Sequence, residues 1–191
     1  EELATLLTQQ FPNHPFAWKV LGVVFQQTGR LSESLAPKQK AAELSPQDAD
    51  AHSNLGNTLQ ELRRLEEAEA SHGRAIALKP DYTEAHYNLG ITLTELGRLN
   101  EAEASYRKAI VLKPDYAKAH NNLGVTLKEL GRFDEAETSL RQAIALKPDL
   151  AEAHNNLGAS LEKLRKLDES EASYKQAIAL KPDYAKAHSN L

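Results

Sequence analysis

The chain has 191 residues, 23 Lys and Arg against 27 Asp and Glu, and a formal charge of −4 at pH 7; 41% of it is hydrophobic and 26% charged. This is the composition of a soluble helical array. It argues against a nucleic-acid partner, which needs a clustered basic surface, and against a membrane partner, since no apolar run is long enough to span a bilayer. Cysteine is absent, so disulfide frameworks, zinc ribbons and thiol nucleophiles drop out, although a cysteine-free chain fits cytosol and periplasm alike. No targeting segment is visible, and the expectation adopted is a cytoplasmic location.

Along the chain the first organising feature is a repeat. Glycine recurs at Gly22, Gly56, Gly90, Gly124 and Gly158, and proline at Pro46, Pro80, Pro114, Pro148 and Pro182, always 34 residues apart. A period of that length marks a solenoid of helical hairpins. Residues 1–14 read as the second helix of a repeat cut short. Full repeats follow at 15–48, 49–82, 83–116, 117–150 and 151–184, and residues 185–191 begin another. All belong to one solenoid domain, expected to be a fragment of a longer array within a larger protein. Numbered from its first residue, each repeat has its glycine at position 8 and its proline at position 32.

Within a repeat, Ala51, Leu55, Gly56, Leu59 and Leu62 keep the spacing of one apolar helix stripe, and Leu65, Ala68, Ala75, Ile76 and Leu78 that of a second. The break between them falls at Gly97-Arg98 or Gly131-Arg132, where glycine takes the left-handed conformation that ends a helix. Arg63 and Arg165 replace that glycine, which makes those two turns less favourable. At the junctions, Lys79-Pro80-Asp81 puts a lysine at the negative helix end, a proline to stop the helix and an aspartate to cap the next one. Asp81 with Glu84, and Asp149 with Glu152, have capping-box spacing.

These residues resemble the tetratricopeptide repeat family, whose pattern places Trp, Leu-Gly, Tyr, Ala, Phe, Ala and Pro at positions 4, 7–8, 11, 20, 24, 27 and 32. Trp18, Leu21-Gly22 and Phe25 open the first full repeat close to it, and Leu89-Gly90, Ala102, Tyr106, Ala109 and Pro114 carry it in the third. The resemblance spans essentially the whole chain. It implies an all-α fold, a right-handed superhelical solenoid of antiparallel helix hairpins, with first helices lining a concave groove and second helices facing outward. The first repeat departs from the pattern where Pro37 and Lys38 take positions that are normally helical and aromatic. A proline inside a helix costs roughly 3 kcal/mol, so this helix is expected to kink or to start late and its hairpin to be the weakest. Gly73 is a milder lesion, about 1 kcal/mol against alanine.

With first helices lining the groove, positions 2, 5, 6, 9, 12 and 13 meet a ligand. Position 6 carries Asn54, Asn88, Asn122, Asn156 and Asn190, doubled by Asn121 and Asn155 at position 5. Each amide offers a donor and an acceptor, so the row can hold the backbone of an extended peptide with little demand on its sequence; the alternative is that the asparagines bond to neighbouring helices or water. The row is similar to that of the repeat arm of O-linked N-acetylglucosamine transferases, which selects substrates for a separate catalytic domain. Asn57, Lys118, Glu95 and Glu129 are further groove contacts. Asn57, Asn88 and Lys118 match part of the carboxylate clamp of co-chaperones, but Ser53 and Asn122 stand where its Lys and Arg belong. Glu61, Glu95 and Glu129 form an acidic row at position 13.

His52, His86, His120, His154 and His188 share position 4 with Trp18. Neighbouring helix axes lie about 8–10 Å apart whereas zinc ligands all lie about 2 Å from the metal, so the row reads as packing with a hydrogen-bonded ring nitrogen rather than as a metal site. Ser71, Ser105, Ser139 and Ser173 repeat on second helices and are architectural. No phosphate-binding glycine loop, paired carboxylates or nucleophile with an adjacent base is present. The expectation is a non-catalytic scaffold, without cofactor or metal, whose partner is a protein or extended peptide. The alternatives are a self-assembly module, associating end to end through Leu3, Leu6, Leu7 and Leu191, or the substrate-recognition part of a glycosyltransferase.

Overall fold

The computed structural model describes residues 2–191, and among them it is all helical, with twelve helices and no strand. Helix α1 spans Glu2–Gln10. The first helices of the repeats are α2 (Pro15–Gln27), α4 (Ala49–Glu61), α6 (Thr83–Glu95), α8 (Ala117–Glu129) and α10 (Ala151–Lys163), 13 residues each. The second helices are α3 (Leu31–Leu44), α5 (Leu65–Leu78), α7 (Leu99–Leu112), α9 (Phe133–Leu146) and α11 (Leu167–Leu180), 14 residues each. Helix α12 is Ala185–Asn190.

Contacts divide the chain into two compact units, Glu1–Leu96 and Gly97–Leu191. In the first, α2 pairs with α3 and α4 with α5, α3 lies on α4 and α5 on α6, α1 covers α2, and α4 reaches α6. In the second, α8 pairs with α9 and α10 with α11, α7 lies on α8 and α9 on α10, and α8, α10 and α12 are successive neighbours. The α4–α5, α8–α9 and α10–α11 hairpins close on small residues: Ala68, Ala75, Ala136, Ala143 and Ala177 have no exposed surface. The glycine at position 8 makes room for whatever stands at position 24. A Cβ on Gly22 would lie 2.8 Å from Cγ of Lys38, one on Gly56 2.6 Å from the His72 ring, one on Gly124 2.5 Å from Cγ of Leu140 and one on Gly158 2.6 Å from the Tyr174 ring. In the second unit Leu140, Leu157 and Leu161 form an apolar cluster with Ile144 against it.

The turns inside the hairpins need a left-handed residue. Gly97 and Gly131 supply it with φ of 74° and 76°, and Arg63 and Arg165 are held at 62° in the same role, a conformation that costs a residue with a Cβ about 1–2 kcal/mol. The junctions differ from expectation. The residues at the helix caps are Tyr82, Tyr116, Leu150 and Tyr184, none of which caps through its side chain, so Asp81 and Asp149 lie one residue too early and form no capping box. Before α4 the order Pro46-Gln47-Asp48 moves the aspartate one place on, and there Asp48 Oδ1 does accept from the Ala51 N–H at 3.1 Å. The junction lysines and tyrosines instead meet each other, Lys79 Nζ lying 4.9 Å from the Tyr82 ring centroid, Lys113 5.2 Å from Tyr116 and Lys181 5.4 Å from Tyr184.

Helix α3 does not start late. It begins at Leu31, in step with Leu65, Leu99, Phe133 and Leu167 at the starts of the other second helices, and is helical through Pro37. Packing carries it past the proline: Ser34, Pro37, Lys38, Ala41 and Ala42 are all buried. At the position of Pro37 other second helices carry a serine whose hydroxyl donates back to the preceding turn, Ser71 to Glu67 O at 2.8 Å, Ser105 to Glu101 O at 3.0 Å and Ser173 to Glu169 O at 2.8 Å. On α1, Leu3 and Leu6 are 80% and 50% exposed.

Candidate functional site

The first-helix face of the first unit holds a cleft of about 640 Å³. Gln26 of α2, Asn54, Asn57, Gln60 and Glu61 of α4, and Asn88 and Glu95 of α6 line it, together with Lys38 of α3 and Arg63. Residues a repeat apart converge there because helices that start 34 residues apart present the same face. Asn88 Nδ2 donates to Asn57 Oδ1 at 2.8 Å, Gln60 Nε2 to Glu95 Oε1 at 2.9 Å and Gln26 Nε2 to Glu61 Oε1 at 3.3 Å. Arg63 pairs with Glu95. Asn54 is exposed.

In the second unit the asparagines spend their amides largely on one another. Asn156 Nδ2 donates to Asn121 Oδ1, Asn121 Nδ2 to Asn122 Oδ1 and Asn190 Nδ2 to Asn155 Oδ1, each at 3.1 Å. Asn121, Asn155 and Asn156 are buried, and the Asn155 Nδ2 has no partner in the structure. Lys118 and Glu129 are exposed on α8. Burial, followed by the neighbouring cation Lys186, holds the Lys128 ammonium below the usual lysine range.

At position 24 the roles of Lys38, His72 and Tyr174 escaped the sequence reading. Lys38 is 5% exposed, and its Nζ donates to Gln26 Oε1 and, at 2.6 Å, to Thr58 Oγ1. Burial pushes its pKa down, opposed by the charge of Glu61. Tyr174 reaches the same way in the last full repeat, its hydroxyl donating to Glu162 at 3.3 Å. His72 is fully buried with neither ring nitrogen bonded, and burial lowers its pKa to about 4. The available signal was the pairing of position 24 with position 12 of the same hairpin, Lys38 with Gln26 and Tyr174 with Glu162, which periodicity alone does not reveal.

The position-4 row packs as its sharing with Trp18 implies. Nε2 of His52, His86, His120, His154 and His188 lies 3.2, 3.0, 3.0, 2.9 and 2.8 Å from the carbonyl of the proline six residues earlier. Trp18 Nε1 donates to Pro12 O at 2.8 Å in the same way. A carbonyl only accepts, so these histidines carry the proton on Nε2. Among the described residues no group of three His, Asp or Glu is placed to hold a metal ion, and no helix is long and apolar enough to cross a membrane.

Family models described as tetratricopeptide repeat match residues 39–70, 73–104 and 121–185, and one described as TPR repeat matches residues 92–131. These are tetratricopeptide repeats. No curated protein matches the chain. Solved TPR structures do. YrrB, a TPR protein with an unusual peptide-binding site, is 22% identical with a TM-score of 0.78 over 97% of this chain and 96% of its own. MamA from Desulfovibrio magneticus RS-1 is 16% identical with a TM-score of 0.82, over 90% and 97%. A thermophilic TPR protein of Thermus thermophilus is 27% identical with a TM-score of 0.72, over 92% and 96%. The TPR solenoid fold is common to all of them.

Proposed function

We propose that the first-helix face of these tetratricopeptide repeats binds an extended peptide, presented by a partner protein, without catalysing a reaction on it. The observation that carries this reading is the cleft in the first unit, whose walls are amide side chains from three successive first helices. A peptide backbone alternates donors and acceptors, and Asn54, Asn57 and Asn88 offer both. The resemblance in fold to YrrB, with its peptide-binding site, supports the same use. Within this reading the asparagines have unequal parts. Asn54 faces solvent and meets the ligand, Asn57 and Asn88 hold each other in place for it, and Asn121, Asn122, Asn155, Asn156 and Asn190 form a corresponding row in the second unit. The module acts as the recognition arm of a larger protein.

The test is a library of extended dodecapeptides measured against the parent chain, Asn54→Ala and the double variant Asn54→Ala/Asn88→Ala. Binding is expected to weaken about tenfold in the double variant, equivalent to about 1.4 kcal/mol, while Asn54→Ala leaves the melting temperature unchanged. Loss of the Asn88–Asn57 bond costs the double variant only about 1 kcal/mol of stability. Parent-like binding by both variants would remove the asparagine row from the site.

A further inference from the structure

We propose that Lys38 is a carboxylate anchor in the floor of this cleft, taking one acidic group of the bound peptide and thereby setting the register in which the peptide lies. This rests on the peptide-binding reading above.

Position 24 is the place where the second helix of a hairpin packs onto the glycine of the first, and Leu140 and Tyr174 fill it with apolar mass. In the first repeat the aliphatic stem of Lys38 does that packing against Gly22. Its ammonium then continues to Gln26 of α2 and Thr58 of α4. Both acceptors are neutral. An ammonium has three hydrogens to give, and no carboxylate of the described residues forms an ion pair with it. The charge of Glu61 offsets part of the cost of burying this cation without pairing to it, and a side chain that still bears the rest of that cost beside an open cleft gains from an anion that enters.

The carboxylates already in the cleft do not take that role. Glu95 is engaged by Arg63 and Gln60. Glu61 is exposed and is linked to Lys38 through Gln26, whose amide oxygen accepts from Lys38 while its nitrogen donates to Glu61. What the floor presents is a cation among amides, which is the chemistry of a carboxylate site. The consequence for specificity follows from the repeat. Asparagines spaced 34 residues apart look alike from one repeat to the next, so a peptide held by them alone can slide. The residues at position 24 are Lys38, His72, Tyr106, Leu140 and Tyr174, and a lysine at a single repeat breaks the degeneracy, since charge complementarity fixes register.

The experiment uses pools of C-terminally amidated dodecapeptides with either glutamate or glutamine fixed at one position, and a second set with a free C-terminal carboxylate. Fluorescence anisotropy measures their affinity for the parent, Lys38→Met and Lys38→Tyr. Methionine keeps the unbranched stem and tyrosine is the residue at positions 106 and 174; melting curves verify that both variants fold. The parent is expected to prefer glutamate over glutamine about tenfold at one position, or the free terminus over the amide, depending on which source supplies the carboxylate. In both variants the ratio of glutamate to glutamine affinity falls to about one, whatever happens to the absolute affinity of the cleft that Lys38 lines. Equal affinity for acidic and neutral pools, or a preference that survives both substitutions, overturns the anchor alone. Failure of every pool to bind the parent overturns the anchor and the peptide reading together.

Discussion

His72 shows what a polar side chain does at the packing position of a hairpin. It fills the space that Gly56 leaves, but both ring nitrogens give up water and gain no partner. Protonation would add a charge to that site, so burial holds its pKa near 4, against about 6.5 in an unfolded chain. The unfolded state therefore takes the proton first. The stability associated with neutral His72 is complete above about pH 6.5 and is lost as pH falls toward 4, by about 3 kcal/mol in all. Replacement by leucine, the residue at position 140, removes both the titration and the two unsatisfied nitrogens. Urea unfolding between pH 4 and 7 is expected to show His72→Leu more stable than the parent at pH 7 by about 1–3 kcal/mol, with the gap widening on acidification. Parallel pH curves for the two proteins would show that His72 keeps its ordinary affinity for protons.

At the scale of the helix, α3 is the element whose sequence and structure are in tension. Pro37 has no N–H to give to the preceding turn, yet the helix keeps the length and start of its counterparts because its buried face is secured by Ser34, Ala41 and Ala42. Packing has overridden propensity without removing the cost. Pro37→Ser, which installs the residue found at positions 71, 105, 139 and 173, is expected to stabilise the protein by roughly 1–3 kcal/mol. Hydrogen exchange should find α3 less protected than α9 in the parent and restored in the variant; equal protection of α3 and α9 in the parent would mean that the missing bond is fully compensated. Helix positions were legible in the sequence because apolar spacing, the hairpin glycines and the junction prolines all share one period. The position-4 histidines were legible because Trp18 stands in their row. The caps were not, since one residue between Pro46 and Asp48 decides whether an aspartate reaches the cap, and that depends on backbone geometry. Nor was the fate of the asparagines: the sequence placed Asn121 and Asn156 on one face, but whether an amide faces a ligand or another amide depends on the approach of neighbouring helices.

At the scale of the whole molecule, a repeat array distributes stability by nearest neighbours, so damage in one repeat spreads mainly to the repeats beside it. Leu123 of α8 is a suitable probe, because it is buried and lies on none of the cleft-lining positions of the first unit. Leu123→Ala is expected to cost about 2–5 kcal/mol through the cavity it leaves. If stability is local, amides of α8, α9 and α10, which pack on one another, lose protection from exchange while those of α2 and α3 keep parental values. The cleft of the first unit would then bind peptide with unchanged affinity although the protein as a whole unfolds at lower urea. A uniform loss of protection from α2 to α11, accompanied by weaker binding, would show instead that the array opens as a single cooperative body, and that recognition in the first unit depends on the integrity of every repeat.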